Sequence, residues 1–345
     1  MNTPSEATLV TVTGASGFIA LHCIRELLQR GYRVRGTLRN PDKQGAIRRA
    51  LGAAGDDDAG GDTAGLTFVA ADLNGDAGWD EAASGARFVI HTASPVPNRE
   101  PKHADDVVVP AREGTLRMLR AASAAGVSRV VLTSSVAAVF SLRLREQGHV
   151  FTEADWCDPD EAGWAYAKSK ILAERAAWQF VEGLPPERPL ELVTLLPGFV
   201  LGPSLLGTDN SSNEVVRKLL ERAMPGVPRF HLPVVDVRDV AAAHVLAMTL
   251  DAAAGERFIL SQGTYWMEEI AAVLTTEGYR VPRRVLPDWL VRVASWFDPT
   301  VRLVVKTVGK PVRVVNDKAV RGLDWHPRDV KETVLDTAAS IAARG

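Results

Sequence analysis

The sequence predicts an α/β protein, a doubly wound parallel sheet joined to a smaller, interwoven α/β lobe. Three observations point there. An apolar, β-branched run over residues 8–13 passes without a spacer into a glycine turn and then into an apolar-periodic segment ending near Arg30. Short strand-like runs recur at 33–39, 66–71, 87–92 and 129–133 with helical stretches between them, the alternation that builds parallel sheets. The chain of 345 residues, 46% hydrophobic and 24% charged, can bury the core of one large or two interlocked domains.

The first strand–turn–helix unit carries Gly14-x-x-Gly17-x-x-Ala20. A helix N-terminus leaves N–H groups unpaired and partly positive, so glycines that admit close backbone approach make it a phosphate site. The pattern is related to the dinucleotide fingerprint, and it stands at the amino terminus, where a doubly wound domain begins. The second strand ends in Arg39, with Lys43 shortly after and no acid at its end. A carboxylate there would pair with a free ribose 2′-hydroxyl, whereas an arginine accommodates a 2′-phosphate, so NADP(H) is favoured over NAD(H).

Composition narrows the remaining classes. A formal net charge of −2 argues against nucleic acid as a partner. The start, Met1-Asn2-Thr3-Pro4-Ser5-Glu6, lacks the features of a signal peptide, and no uncharged apolar stretch is long enough to span a membrane. Cys23 and Cys157 are far apart with no metal-spaced partner. The expectation is a reduced, cytoplasmic protein, monomer or homodimer, with no metal, nucleic-acid or membrane partner. Residues 51–65 turn to Gly, Ala and Asp, and Asp56-Asp57-Asp58 reads as solvated loop charge.

Ligands in open α/β sheets collect at the carboxyl ends of strands. That nominates Asp72 after the third strand, and Thr92, Ala93 and Ser94 after the fourth, as adenine and ribose contacts. His91, apolar-flanked within the fourth strand, reads as a core histidine. A long helix follows over about 105–125, and the fifth strand ends in Ser134-Ser135. Further on, Trp164 to Glu174 has a strong helical pattern in which Tyr166 and Lys170, four apart, share a face, while Lys168 points elsewhere. Carbonyl reduction needs a hydride donor and a proton donor for the developing alkoxide. A free phenol titrates near 10, too high for efficient acid catalysis near neutrality, and a nearby ammonium lowers that value. Lys170 could also bond the nicotinamide ribose, and Ser135 could hold the carbonyl oxygen.

These residues carry a resemblance. The chain resembles the extended, atypical short-chain dehydrogenase/reductases of the NAD-dependent epimerase/dehydratase-like family, near the group of dihydroflavonol and cinnamoyl-CoA reductases and NADPH-dependent aldehyde and ketone reductases. The matching pieces run in family order from Val12–Ala20 through Arg35–Arg39, Ala71–Leu73, His91–Pro95, Glu113–Thr115, Leu132–Val136 and Tyr166–Lys170 to Leu196–Pro203. The resemblance implies a Rossmann-type sheet and a catalytic set of Ser135, Tyr166 and Lys170, with Ser135 preferred over Ser134. It implies phosphate contacts from Gly14, Ser16, Gly17, Phe18 and Ile19, and 2′-phosphate contacts from Arg39 and Lys43. Asp72 and Leu73 would meet adenine, and Pro197, Gly198 and Val200 the nicotinamide. One departure is that Pro110-Ala111-Arg112-Glu113 stands where many extended members have an Asn before Gly-Thr, which puts a relay through that Asn in doubt.

The expected division is 1–200 as the NADP-binding domain and 201–345 as mainly the substrate-binding lobe, with about 230–255 returning to the core. Asp236, Arg238 and Asp239 read as capping and ion-pair residues at a helix start. Between Arg280 and Arg313 there are eight basic residues against two acids, interleaved with Trp289, Trp296 and Phe297. A basic, aromatic segment can mark nucleic-acid or membrane contact, but the chain's overall acidity favours basic residues snorkelling around an apolar lid; alternatively, the aromatics wall a pocket for aryl or bulky aliphatic carbonyls. An amphipathic helix is expected over 328–344. The function expected is NADPH-dependent reduction of an aldehyde or ketone. Nucleotide-sugar epimerase or dehydratase, hydroxysteroid dehydrogenase and a non-catalytic NADP-sensing regulator are the alternatives on the same fold.

Overall fold

The computed structural model describes residues 8–52, 63–96, 100–207, 210–297, 301–302 and 305–344. The first residues and most of the Gly/Asp-rich stretch, 53–62, lie outside the described residues. The amino-terminal half alternates strand and helix: β1 (Leu9–Thr13), α1 (Phe18–Gln29), β2 (Arg33–Leu38), α2 (Gln44–Gly52), β3 (Leu66–Ala70), α3 (Trp79–Ala83), β4 (Phe88–His91), α4 (Asp105–Ala124) and β5 (Arg129–Thr133). After α5 (Leu142–Glu146) and the short β6 (Val150–Phe151) come α6 (Ala165–Glu182), β7 (Glu191–Pro197) and β8 (Phe199–Leu201).

Seven parallel strands form the central sheet in the order β10-β7-β5-β4-β1-β2-β3, where β10 is Arg257–Leu260. Every residue of β1 and β5 is buried, as expected of strands covered by helices on both faces. The order reverses between β1 and β4, the switch point at which such sheets open a ligand crevice. β2 ends one residue earlier than the sequence suggested, leaving Arg39 as the first residue beyond it.

The second lobe begins with α7 (Asn213–Leu220), followed by β9 (His231–Asp236) and α8 (Val237–Thr249). β11 (Gly263–Trp266) pairs antiparallel with β9, and β9 parallel with β8, making a three-stranded sheet. Helix α9 (Met267–Thr276) and the carboxy-terminal helix cover it with α7, enclosing Leu201, Val216, Leu219, Val234, Ile270 and Val334. The remaining elements are α10 (Asp288–Ala294), β12 (Arg313–Val314, paired with β6), α11 (Asp317–Leu323) and α12 (Val330–Ala342). Helix α8 packs on α1 and β10 extends the central sheet, so the carboxy-terminal part of the chain returns to the core at two places. Asp236 caps α8, accepting from the Arg238 N–H at 2.8 Å and pairing with its guanidinium at 2.7 Å, while Asp239 pairs with Arg328.

Candidate active site

At the switch point, Gly14 adopts φ +68°, and a Cβ there would stand 3.1 Å from the Ala93 Cα. Both the left-handed turn and the approach to β4 therefore require glycine. The turn is pinned by the Gly14 N–H donating to Thr37 Oγ1 at 3.0 Å and the Ala15 N–H to the Thr37 carbonyl at 2.9 Å. Gly17 occupies the N-cap of α1 with no side-chain acceptor, so this helix start has no competing oxygen of its own and suits a phosphate.

The basic residues on and just after β2 have different partners. Arg35 donates to the carbonyls of Glu81, Ala82 and Ser84 at the end of α3. Arg39 and Lys43 are exposed, with no side-chain partner among the described residues. Asp72 is half-buried, and its Oδ1 accepts from the Asn74 N–H at 2.9 Å in a local turn. Leu73 packs against the cluster around Trp79 and Met118. Thr92 Oγ1 donates to the Thr13 carbonyl at 2.6 Å and the Ala93 N–H to Thr13 Oγ1 at 3.0 Å. Their polar groups thus tie β4 to β1, and a ligand would meet these residues through other atoms. His91 is a core histidine. Burial drives its pKa down to about 3, and Thr13 bonds its Nδ1 at 2.9 Å.

Ser135, Tyr166 and Lys170 come together where β5 ends and α6 begins. Ser135 terminates the strand as the cap of a short 3-10 turn over 136–138, and its Oγ accepts from the Ala137 N–H at 3.2 Å. Tyr166 is half-buried in the first turn of α6, beside the Ser135 side chain, which favours its phenolate form. Lys170 is buried one turn on, its Nζ 5.9 Å from the Tyr166 ring centre and donating to the Thr133 carbonyl at 2.9 Å. Burial raises the Tyr166 pKa, which the neighbouring Ser135 hydroxyl only partly opposes, and it lowers that of Lys170 to about 8. The sequence suggested a phenol already depressed by its lysine. In this structure desolvation dominates both groups, leaving the phenol a stable proton store and the lysine cationic below about pH 8. Lys168 points outward to Asp160 at 3.0 Å.

Ser134 is committed elsewhere. Its hydroxyl donates to buried Glu174, which also accepts from Thr194 Oγ1 at 2.9 Å and Arg257 Nε at 2.8 Å. A cavity of about 10 Å³ lies beside Lys170, lined also by Ser94, Thr115, Ser134 and Glu174, about the room one water needs. Pro110 stands inside α4, and the neighbouring Ala111 carbonyl accepts from Thr115 Oγ1 at 2.8 Å.

Pro197 to Val200 carries the chain from the central sheet to the small one. The Gly198 N–H donates to the Leu260 carbonyl at 2.9 Å, and a Cβ at 198 would fall 2.2 Å from the Pro233 carbonyl oxygen. Glu100 was missed from sequence. Its carboxylate accepts from the Ala165 N–H at 2.9 Å and so caps α6 from a distant loop. The available signal was negative: Trp164 at the N-cap cannot serve that N–H. Trp289 and Trp296, expected to wall a pocket, are instead 64% and 73% exposed.

The family model described as NAD dependent epimerase/dehydratase family matches residues 10–260. Cinnamoyl-CoA reductase 1 of Petunia hybrida is 34% identical over 346 residues, covering 98% of this chain and 93% of that protein. Among solved structures, yeast methylglyoxal/isovaleraldehyde reductase Gre2 complexed with NADPH matches with a TM-score of 0.79 at 27% identity, covering 98% of this chain and 100% of that one. Gre2 from Candida albicans in complex with NADPH matches with a TM-score of 0.79 at 25% identity, covering 98% and 99%.

Proposed function

The chain belongs to the NAD dependent epimerase/dehydratase family, and from that premise we propose that it is an NADPH-dependent reductase converting an aldehyde or ketone to an alcohol. Similarity to NADPH-bound reductases over nearly the whole chain supports an NADP(H)-dependent oxidoreductase. The observation that carries the finer reading is the convergence of Ser135, Tyr166 and Lys170 at the end of β5.

The residues present fit the cofactor. The Gly14–Ile19 turn offers a backbone cradle that a Cβ would crowd, Arg39 and Lys43 offer cations with no side-chain partner among the described residues, and 197–200 lies at the carboxyl end of β7. When bound, NADPH supplies the hydride. Ser135 Oγ donates to the carbonyl oxygen, polarising it. Tyr166 Oη gives its proton to the same oxygen as negative charge develops there. The Lys170 ammonium, over the ring face, stabilises the phenolate left behind. Glu100 fixes the start of α6 and with it the height of Tyr166 against Ser135. The chain divides functionally at about residue 200, with the small sheet and its helices forming the substrate side.

The test is NADPH consumption by purified protein across aryl aldehydes, aliphatic ketones, β-keto esters, dihydroflavonols and steroids, with nucleotide sugars as a further set. Oxidation of NADPH by a carbonyl supports the reading. Tight NADP(H) binding with no net consumption, but interconversion of a nucleotide sugar, would replace it with the epimerase reading.

A further inference from the structure

Five of the nine large hydrophobic side chains exposed among the described residues fall between Val285 and Phe297, and Phe297 is 82% exposed. Helix α10 turns Val291 inward, as Ser295 just after it is buried. Trp289, Val293 and Trp296, at helical spacing, occupy the outward side. The aromatic face of this segment is thus presented to the surroundings.

The same stretch of sequence is basic. Residues 280–313 hold eight Lys and Arg and two Asp, a net +6, so the other residues carry −8 to reach the chain total of −2. Arg280, Arg283, Arg284 and Arg292 are exposed and make no ion pair among the described residues. Asp288, the one acid of the segment within the described residues, is held by Arg229 at 3.3 Å. Arg280 and Arg283 also line, with Arg222, an open concavity of about 330 Å³ with no carboxylate in its wall. The nearby Glu221 and Glu277 are drawn away to Arg217 at 2.8 Å and Lys331 at 2.7 Å.

We propose that α10 and its flanking arginines dock the protein on the surface of an anionic lipid bilayer. Trp289, Trp296 and Phe297 enter the interface, and the arginines meet lipid phosphates. Outward aromatics rimmed by basic residues are the chemistry of interfacial helices, and each basic residue near an anionic leaflet adds attraction. A second copy of the chain is the poorer occupant, because a twofold contact through this face would set one positive patch against another. The chain's overall acidity does not oppose this contact, because the acid is elsewhere in the chain. No described helix is long and apolar enough to cross a membrane, so the attachment is to the surface.

The experiment is co-sedimentation of the full chain with phosphatidylcholine vesicles, with and without phosphatidylserine, together with tryptophan emission. The expected result is binding to the anionic vesicles alone, with a blue shift, weakened by salt. Trp289→Ala/Trp296→Ala should reduce partitioning roughly tenfold or more and abolish most of the shift. Arg283→Glu/Arg284→Glu/Arg292→Glu should do the same to partitioning, with an unchanged Tm showing that each variant is folded. No sedimentation at low salt, equal binding by the variants, or a dimer that the tryptophan variant dissolves would overturn the proposal, as would binding of nucleic acid in preference to vesicles.

Discussion

Replacing Arg39 separates cofactor choice from everything else in the molecule. Arg39 is exposed beyond the end of β2 and has no partner among the described residues, so Arg39→Ala removes nothing that the fold uses. A hydrogen bond between charged groups contributes about 1.5–3 kcal/mol, so losing one to the 2′-phosphate lowers kcat/KM for NADPH by roughly 10- to 150-fold. Arg39→Asp adds repulsion. Two unit charges about 5 Å apart in water interact by roughly 0.8 kcal/mol, and a phosphate near charge −2 doubles that, for a further loss of roughly tenfold. NADH has no 2′-phosphate, and its ribose hydroxyl can donate to the new carboxylate, so its kcat/KM holds or rises. The assay is kcat/KM for both cofactors with one carbonyl substrate at low salt, with the ratio as readout. Arg35→Ala is the control, because its guanidinium serves the carbonyls at the end of α3. It should lower Tm and leave the ratio alone. An Arg39→Asp enzyme keeping the wild-type ratio would refute this assignment.

Further outcomes concern titration and stability. The rate of carbonyl reduction should be level below about pH 8 and fall above it, as Lys170 loses the proton whose charge supports the phenolate; a rate that rose through pH 8–9 would contradict the role given to Lys170. Burial lowers the pKa of His22 and His244 to about 4 and of His91 to about 3. Because the unfolded chain takes up these protons first, from about pH 6.5, the stability each contributes is present above that value and is lost on acidification. The loss is about 2 kcal/mol per histidine by pH 5, and urea unfolding equally stable at pH 7 and pH 5 would disprove it. Glu174→Ala strips the acceptor from Ser134, Thr194 and Arg257 together and should cost about 3–5 kcal/mol. Glu174→Gln should recover part of this, and a fully stable Glu174→Ala protein would show the network to be dispensable.

How far the structure could be read from sequence follows the range of the interactions involved. β1, β4 and β5 are short apolar runs covered on both faces, and α6 shows a helical period, so the Tyr166–Lys170 pairing needed only local geometry. Arg39 could be picked out because it stands just past the point where the strand pattern ends. The small sheet joins Phe199 to Val234 and Val234 to Gly263, pairings that no local pattern announces. Glu100 reaches across 65 positions to cap α6. The upward shift of Tyr166 depends on burial, which spacing alone does not convey. Around α10, composition showed aromatics among basic residues but not that Trp289 and Trp296 would face outward, since composition is silent about which side meets the protein.

The most direct measurement follows the hydride itself. NADPH carrying deuterium at the transferable C4 position is incubated with the enzyme and an accepted carbonyl, and the product is analysed by mass spectrometry, with Tyr166→Phe in parallel. The expected result is an alcohol one mass unit heavier, deuterated at the former carbonyl carbon, formed at least about 100-fold more slowly by the variant at nearly unchanged cofactor affinity. Label retained in the nicotinamide, or a deuterated alcohol formed equally fast by Tyr166→Phe, would contradict the mechanism.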